Sequence, residues 1–146
     1  MTFIVKTTTS LLLGCILICC INSNVIAQDA VTVFNRCSNQ IDQINRNATE
    51  AQREAVDACV TVIDRLLEMG EIQEARLAAQ RCRARLDLLT ERGTRALRET
   101  CQPCLETLRE LKALRLARRL SDRCEENAQQ LAQQNERAQN AINELF

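Results

Sequence analysis

The sequence predicts an all-α fold, a disulfide-stapled antiparallel bundle of three long helices, from three observations. After residue 27, Gly70, Gly93 and Pro103 are the only glycines and prolines among helix-forming Ala, Leu, Arg, Glu and Gln. Apolar residues recur at helical spacing, and few segments have the alternating β-branched pattern of a strand. Six cysteines lie in the same stretch, an even number that predicts three disulfides in a secreted chain.

Residues 1–27 predict a cleaved signal peptide. Lys6 gives the N-terminal region the positive charge typical of a signal peptide. The apolar run from Leu11 to Ile21 is too short to span a bilayer. Val25 and Ala27 place small side chains at the −3 and −1 positions of a cleavage site. We therefore expect an extracellular protein without a stable membrane span, whose residues 28–146 form a single helical domain.

Two alternatives for this segment remain open. The segment could stay uncleaved as a membrane anchor. Leu12-Leu13-Gly14-Cys15 also fits a bacterial lipobox. Cleavage there would leave the apolar run from Ile16 to Ile21 at the new N-terminus.

Glycine and proline mark the expected ends of the helical segments. The first segment runs from about Asp29 to Met69, and Gly70 fits the residue that follows a helix end. The second runs from Glu71 to about Thr100. Pro103 fits the first turn of a third segment that reaches the C-terminus, which places the second turn at Gln102-Pro103.

Two of these segments contain polar stretches that could divide them, giving five helices. Thr49 and Gln52 have capping-box spacing, which allows a break near residues 45–49. Ser121 could cap a fresh helix in the third segment. Beyond it an apolar stripe recurs with the heptad spacing of a coiled coil. Its members are Cys124, Leu131, Ala138 and Leu145.

The predicted disulfides can be formed in 15 ways from six cysteines. These are Cys37, Cys59, Cys82, Cys101, Cys104 and Cys124. Cys59 lies almost as far before Gly70 as Cys82 lies after it, so the two are level in antiparallel neighbours. We therefore expect a Cys59–Cys82 bridge as the best single pair.

A second turn at Gln102-Pro103 creates a difficulty for the remaining cysteines. It places Cys124 level with Cys59 and Cys82, and Cys37 near Cys101 and Cys104. The layers would then lie about 30 Å apart at about 1.5 Å of rise per residue, beyond the reach of a disulfide. One bridge per layer leaves two odd cysteines. Either a helix breaks near Asn47 or Ser121 to bring them together, which we favour, or they pair between molecules in a dimer.

The residue types favour a protein that is not an enzyme. Cys101-Gln102-Pro103-Cys104 matches a redox C-x-x-C motif, but the strand that normally precedes that motif is missing. The chain has no histidine, which excludes Ser-His and Cys-His nucleophiles and weakens a zinc interpretation. Carboxylate pairs such as Glu125-Glu126 lie among arginines, where solvated charge is the ordinary role. We expect no metal and no cofactor.

Charge and a glycosylation motif bear on possible partners. The 19 Lys and Arg balance the 19 Asp and Glu, and aromatic residues are scarce, so a nucleic-acid partner is disfavoured. The arginines crowd two stretches, 76–98 and 109–123, and could bind anions, although solvated helix faces are the simpler interpretation. Asn47-Ala48-Thr49 is an N-glycosylation sequon, which predicts a glycoprotein in a eukaryotic source.

Two families of small secreted helical proteins have different cysteine spacing. The insect odorant-binding proteins have one cysteine pair three residues apart near the middle and another eight apart near the end, and the saposin-like proteins have close pairs at both ends. Here Cys101 and Cys104 are the only close pair after residue 27. The chain more closely resembles insect secreted helical proteins of the TsetseEP-domain kind in Phe34-Asn35-Arg36-Cys37, the helical run to Cys59 and the scattered later cysteines. This resemblance covers the first third of residues 28–146. It implies an extracellular secretion product and brings no catalytic residues.

These observations support two hypotheses for the function. The first is a non-catalytic secreted protein that acts through its surface as a structural or interaction component of an extracellular fluid. The second is a carrier of a small apolar ligand between its helices, which would need a sizeable apolar cavity. The partner would be an extracellular protein or a small apolar molecule. Neither its identity nor the biological process follows from the sequence.

Overall fold

The computed structural model describes the backbone of residues 9–146 and the side chains of residues 26–146. Three helices pack against one another: α1 (Thr9–Glu68), α2 (Ile72–Glu110) and α3 (Leu114–Asn143). Residues 9–146 contain no strand, so the all-helical prediction is confirmed for this range. Lys6 and the side chains of Leu11 to Ile21, on which the signal-peptide prediction depends, lie outside the described residues. Within residues 26–146, no helix has a stretch that is both long and apolar enough to cross a membrane.

The first turn lies at Gly70, as the sequence predicts. Gly70 has a φ of 77°, which costs glycine little because it has no Cβ. Its N–H donates to Leu67 O at 3.0 Å, and the N–H of Glu71 donates to Leu66 O at 2.9 Å. These two bonds form a Schellman motif, which satisfies carbonyls left free at the end of α1.

The second turn lies at Lys112, and the turn expected at Gln102-Pro103 is wrong. Lys112 has a φ of 55°. Its N–H donates to Arg109 O, and the N–H of Ala113 donates to Leu108 O, both at 2.9 Å. The conformation and hydrogen bonds therefore repeat those of the Gly70 turn, with a lysine in the left-handed position.

Pro103 lies inside α2 because the buried side of the helix continues past it. That side contains Leu97, Cys101, Cys104 and Leu108, whereas Pro103 itself is exposed. A proline inside a helix lacks one backbone N–H and crowds the preceding turn. The apolar stripe outweighs this local cost, so the proline does not end the helix.

Neither of the helix breaks that the sequence suggested is present. α1 passes through residues 45–49 without interruption, because the Gln52 side chain turns into the core instead of capping a new helix at Thr49. α3 passes through Ser121, where Leu120 and Asn127 keep the buried stripe in register. The alternative of five helices is therefore wrong for the described residues.

Buried apolar side chains form two clusters along the helices. One surrounds Ile41, Leu97, Leu108 and Leu120, and the other surrounds Ile63, Leu86 and Ile142. Aliphatic residues, alanines and half-cystines supply both clusters, as the scarcity of aromatic residues predicts.

The helices approach closely at Gly93, between the two clusters. A Cβ added there would lie 2.9 Å from the Ala48 Cβ and 3.1 Å from the Leu131 Cδ1. Glycine at this site therefore lets α1, α2 and α3 come together.

The two turns lie in two hairpins with the same cysteine spacing. Residues 59–82 and 101–124 each begin and end with a cysteine, and each hairpin closes with a disulfide of sequence separation 23. When the two hairpins are aligned on these cysteines, other identical pairs are Leu66 and Leu108, Glu68 and Glu110, Ala75 and Ala117, Arg76 and Arg118, and Arg81 and Arg123. Gly70 corresponds to Lys112 in this hairpin alignment, and both residues have a positive φ.

Candidate functional site

The six cysteines from Cys37 onward form three disulfides between helices. Cys37 bonds to Cys104, with the Cα atoms 6.1 Å apart. Cys59 bonds to Cys82, with the Cα atoms 6.0 Å apart. This is the pair expected from their nearly equal distances along the chain from Gly70. Cys101 bonds to Cys124 at 6.4 Å.

All three bonds fit unbroken helices once the second turn lies at Lys112. Cys101 then lies almost as far before the turn as Cys124 lies after it, which repeats the spacing about Gly70. Cys37 and Cys104 likewise lie at nearly equal distances along the chain before and after Gly70. The expected layers of three cysteines are therefore wrong, and no broken helix or intermolecular bond is needed to pair the odd ones.

The two cysteines of the Cys101-Gln102-Pro103-Cys104 motif bond to different helices. Cys101 is joined to Cys124 on α3, and Cys104 is joined to Cys37 on α1. The motif therefore ties α2 to both neighbours within one helical turn. Because each sulfur is held in an interhelical bond, the motif offers no thiolate for redox or nucleophilic chemistry in this state.

A buried polar contact lies between the two apolar clusters. Gln52 is 2% exposed, and its Nε2 donates to Thr90 Oγ1 at 2.7 Å and to the Leu131 carbonyl at 3.4 Å. Its Oε1 has no partner within the described part of the chain. A buried polar group is costly unless it is paired, so this contact favours the one register in which Gln52 meets Thr90.

One ion pair joins α1 to α3. Arg123 Nε donates to Asp42 Oδ1 at 3.0 Å, and Arg123 Nη2 donates to Asp42 Oδ2 at 2.6 Å, a two-point contact between a guanidinium and a carboxylate. These hydrogen bonds raise the pKa of Arg123 above its usual range, against a smaller opposing effect of burial. Sequence inspection missed this pair because both residues lie in polar runs that show no partner.

Asn47 is exposed on the continuous helix α1. Its Oδ1 accepts a 2.8 Å hydrogen bond from Gln43 Nε2. The helix break expected beside it is absent, so the sequon does not lie in a loop. Its glycosylation stays a prediction.

Three grooves along the bundle are open to solvent. One of about 600 Å³ lies over the Cys37–Cys104 bond, and one of about 360 Å³ lies over the Cys101–Cys124 bond. The third, of about 590 Å³, is mostly apolar and lies beside the Lys112 turn. These volumes are on the scale of ligand sites, but sites that bind tightly enclose most of the ligand's surface.

The described residues provide little for metal or acid–base chemistry. Within residues 26–146, no group of three or more Cys, Asp or Glu side chains could hold a metal ion. Glu125 and Glu126 are both exposed on α3, in keeping with solvated charge. The strongest constellation in this part of the chain is therefore the pair of disulfides formed by Cys101 and Cys104.

No protein-family model, curated protein or solved structure matches the chain. The resemblance to proteins of the TsetseEP-domain kind therefore stays an expectation. The function is argued below from the disulfides, the grooves and the surface charge of this chain.

Proposed function

We propose that the chain is a secreted, non-catalytic helical protein that acts through its surface as a structural or interaction component of an extracellular fluid. The observation that carries the proposal is that three disulfides consume all six cysteines from Cys37 onward. Such bonds persist in oxidising compartments and are rare in the cytosol. The predicted signal peptide and the resemblance to secreted insect proteins support the same location.

The disulfides also support an antiparallel, up-down-up arrangement of the helices. Two bonds join α1 to α2 at levels symmetrical about Gly70, and a third joins α2 to α3 at a level symmetrical about Lys112. Bonds of this kind restrict the unfolded chain and supplement a core that has few large side chains. Helices held together by three disulfides are suited to present a surface.

A non-catalytic role is supported by the side chains available. The sequence has no histidine, and the sulfurs of Cys101 and Cys104 are both held in disulfides. The alternative of a carrier for a small apolar ligand requires an enclosed apolar space. The three large grooves are open, and the two apolar clusters are filled by tightly buried side chains such as Ile41, Leu86 and Leu131.

The test is to express the full chain in a eukaryotic secretory line and recover it from the medium. Peptide mapping without reduction should give a chain that begins at Gln28, with the bonds Cys37–Cys104, Cys59–Cys82 and Cys101–Cys124. Native mass spectrometry should show no retained small apolar molecule. Retention in the cell with free thiols would contradict secretion, and a co-purifying lipid that resists dilution would favour the carrier.

Glycosylation of Asn47 is tested on the same material. An Asn47→Gln variant should lose the mass of a glycan and gain mobility in electrophoresis, because it removes the acceptor amide. Thr49→Ser preserves the sequon and is the matched control. An unchanged mass in Asn47→Gln would contradict the prediction without bearing on secretion.

A further inference from the structure

The two turns of the molecule carry opposite charge. We define the acidic tip as residues 64–77 and the basic tip as residues 106–119, which are equivalent in the hairpin alignment. The acidic tip has four acidic residues, Asp64, Glu68, Glu71 and Glu74, against two arginines. The basic tip has five cations, Arg109, Lys112, Arg115, Arg118 and Arg119, against two glutamates.

These charges are available at the surface. All the charged residues of both tips are exposed. Across residues 26–146, the salt bridges are Arg53–Glu50, Arg95–Glu91 and Arg123–Asp42, and none involves either tip. Each turn joins the end of one helix to the start of the next, so the helix dipoles largely cancel at both. The difference in charge is therefore set by the side chains.

Both tips also expose large apolar side chains. Met69 is 61% exposed and Ile72 is 52% exposed on the acidic tip. At the other end, Leu114 is 68% exposed and lines the mostly apolar groove of about 590 Å³ together with Val31 and Leu116. Ile26 and Ala27 also line this groove and leave with the predicted signal peptide, so the secreted chain keeps the part of the groove formed from Ala30 onward. Ile72 and Leu114 are equivalent in the hairpin alignment and are the first residues of their helices.

The tips lie at opposite ends of α2. This helix has 39 residues, so it is about 58 Å long at about 1.5 Å per residue. Screening over about 8 Å at physiological salt leaves the two tips without direct interaction in one molecule. Between molecules, however, an acidic apolar tip can meet a basic apolar groove directly.

We propose that the protein associates head to tail, with the acidic tip of one copy seated against the basic tip and apolar groove of the next. This inference rests on the proposed surface role and names its partner as a second copy of the chain. Met69 and Ile72 enter the groove beside Leu114. The carboxylates of the acidic tip face Lys112 and Arg115.

Two properties follow from this geometry. A head-to-tail contact is heterologous and leaves a free tip at each end, so assembly does not stop at a dimer. The contact between two helical tips is small and belongs with transient interfaces. Its charged rim makes it sensitive to salt.

The experiment is sedimentation equilibrium of the protein recovered from the medium, up to about 1 mM, the range in which weak interfaces are populated. The weight-average mass should rise beyond that of a dimer at low salt. The association constant should fall about tenfold or more when about 0.5 M NaCl is added, because the Debye length then shortens to a few ångströms.

Charge reversal provides the sharper test. Glu68→Lys with Glu71→Lys makes both tips basic, and Arg115→Glu with Arg119→Glu makes both tips acidic. Glu71 makes no side-chain cap bond, so its replacement removes none. Each double variant alone should associate about tenfold more weakly than the wild type, and a mixture of the two should regain association.

Arg92→Glu with Arg98→Glu is the matched control for Arg115→Glu with Arg119→Glu. It makes the same change in net charge, but at exposed residues in the middle of α2. This variant should associate as the wild type does, and circular dichroism should show all variants folded. A monomer at every concentration, a mass that stops at the dimer, or no recovery in the mixture would overturn the proposal.

Vesicle binding tests the alternative that the basic tip binds anionic lipid instead of a second copy of the chain. Phosphatidylcholine vesicles containing phosphatidylserine should not bind the wild type more strongly than neutral vesicles do. Vesicle binding lost in Arg115→Glu with Arg119→Glu, without self-association, would assign the tip to anionic lipid and overturn the head-to-tail contact. Neither result changes the disulfide map or the ligand content, so the proposed function is tested separately.

Discussion

The hairpins about Gly70 and Lys112 share one backbone design but differ in side chains that matter for stability and recognition. Both turns have a left-handed residue and the same pair of capping hydrogen bonds. Both are closed by a disulfide of sequence separation 23. The second hairpin has lysine in place of glycine at the turn and proline in place of Thr61. The charged residues about its turn are mostly cations, whereas those about the first turn are mostly acids. The same turn and helix geometry can therefore form even where a residue's own conformational preference opposes it.

Among changes that compare the two hairpins, removal of a hairpin disulfide is expected to have the largest effect. Cys59→Ala with Cys82→Ala, and Cys101→Ala with Cys124→Ala, each open a loop of the same length. The loop-closure model gives a loss of about 3 kcal/mol in unfolding free energy for each pair. Urea unfolding followed by circular dichroism measures both losses.

The comparison between the two losses is informative in itself. Equal losses would show that loop closure dominates both bonds. A difference above about 1 kcal/mol would show that the two disulfides do not stabilise their hairpins equally. The native packing around one bond would then contribute more to the unfolding free energy than the packing around the other.

The first turn could be predicted from the sequence and the second could not, for a physical reason. Glycine marks a left-handed position because other residues are strained there, so Gly70 stands out. Lys112 adopts the same conformation against its preference, and Pro103 suggests an ending where the helix continues. Local preference misleads at both residues because the buried stripe and the disulfides fix the register of α2.

A signal for the correct register is nevertheless present in the cysteine spacing. The sequence separation between Cys59 and Cys82 is 23, and that between Cys101 and Cys124 is the same. If each spacing of 23 closes a hairpin, the second turn lies near Lys112, and Cys37 and Cys104 are the two cysteines left to pair. The Asp42–Arg123 pair and the buried Gln52 contact could not be found in this way, because they depend on the rotation of each helix.

Exchange of the proline and its equivalent threonine tests how far the helix tolerates a local defect. Thr61→Pro should lower the unfolding free energy by about 3 kcal/mol, since it removes a backbone N–H and crowds the preceding turn. It also removes the 2.8 Å bond from Thr61 Oγ1 to the Asp57 carbonyl. Thermal unfolding of Thr61→Ala separates the loss of this bond from the effect of the ring.

The reverse change should stabilise the protein. Pro103→Thr should raise the unfolding free energy by about 2 kcal/mol, less than the full cost of a helical proline because proline also restricts the unfolded chain. If Pro103→Thr instead lowers the unfolding free energy, Pro103 must make a stabilising contact that the aligned residue Thr61 does not make.

Gly93 lies in the part of α2 between the two hairpins, and alanine there should be destabilising. The gain in helix preference is about 1 kcal/mol, whereas overpacking costs typically about 1–3 kcal/mol, so a net loss of about 1 kcal/mol is expected. The added Cβ would lie 2.9 Å from the Ala48 Cβ. Gly93→Ala combined with Ala48→Gly relieves this contact, and a double-mutant cycle measures the coupling. Additive effects would contradict the close approach.

The smallest expected effect, and the most direct comparison of the two turns, comes from exchanging their left-handed residues. Lys112→Gly should raise the unfolding free energy by about 1 kcal/mol, because a side chain at positive φ is strained and glycine relieves that strain. Gly70→Lys should lower it by a similar amount, and no atom within 4 Å of the added Cβ would clash there. Lys112→Gln is the matched control, since it removes the charge but keeps the Cβ, and it should leave the midpoint of urea unfolding nearly unchanged. If Lys112→Gln stabilises the protein as much as Lys112→Gly, repulsion among the cations of the basic tip, and not backbone strain, distinguishes the second turn from the first.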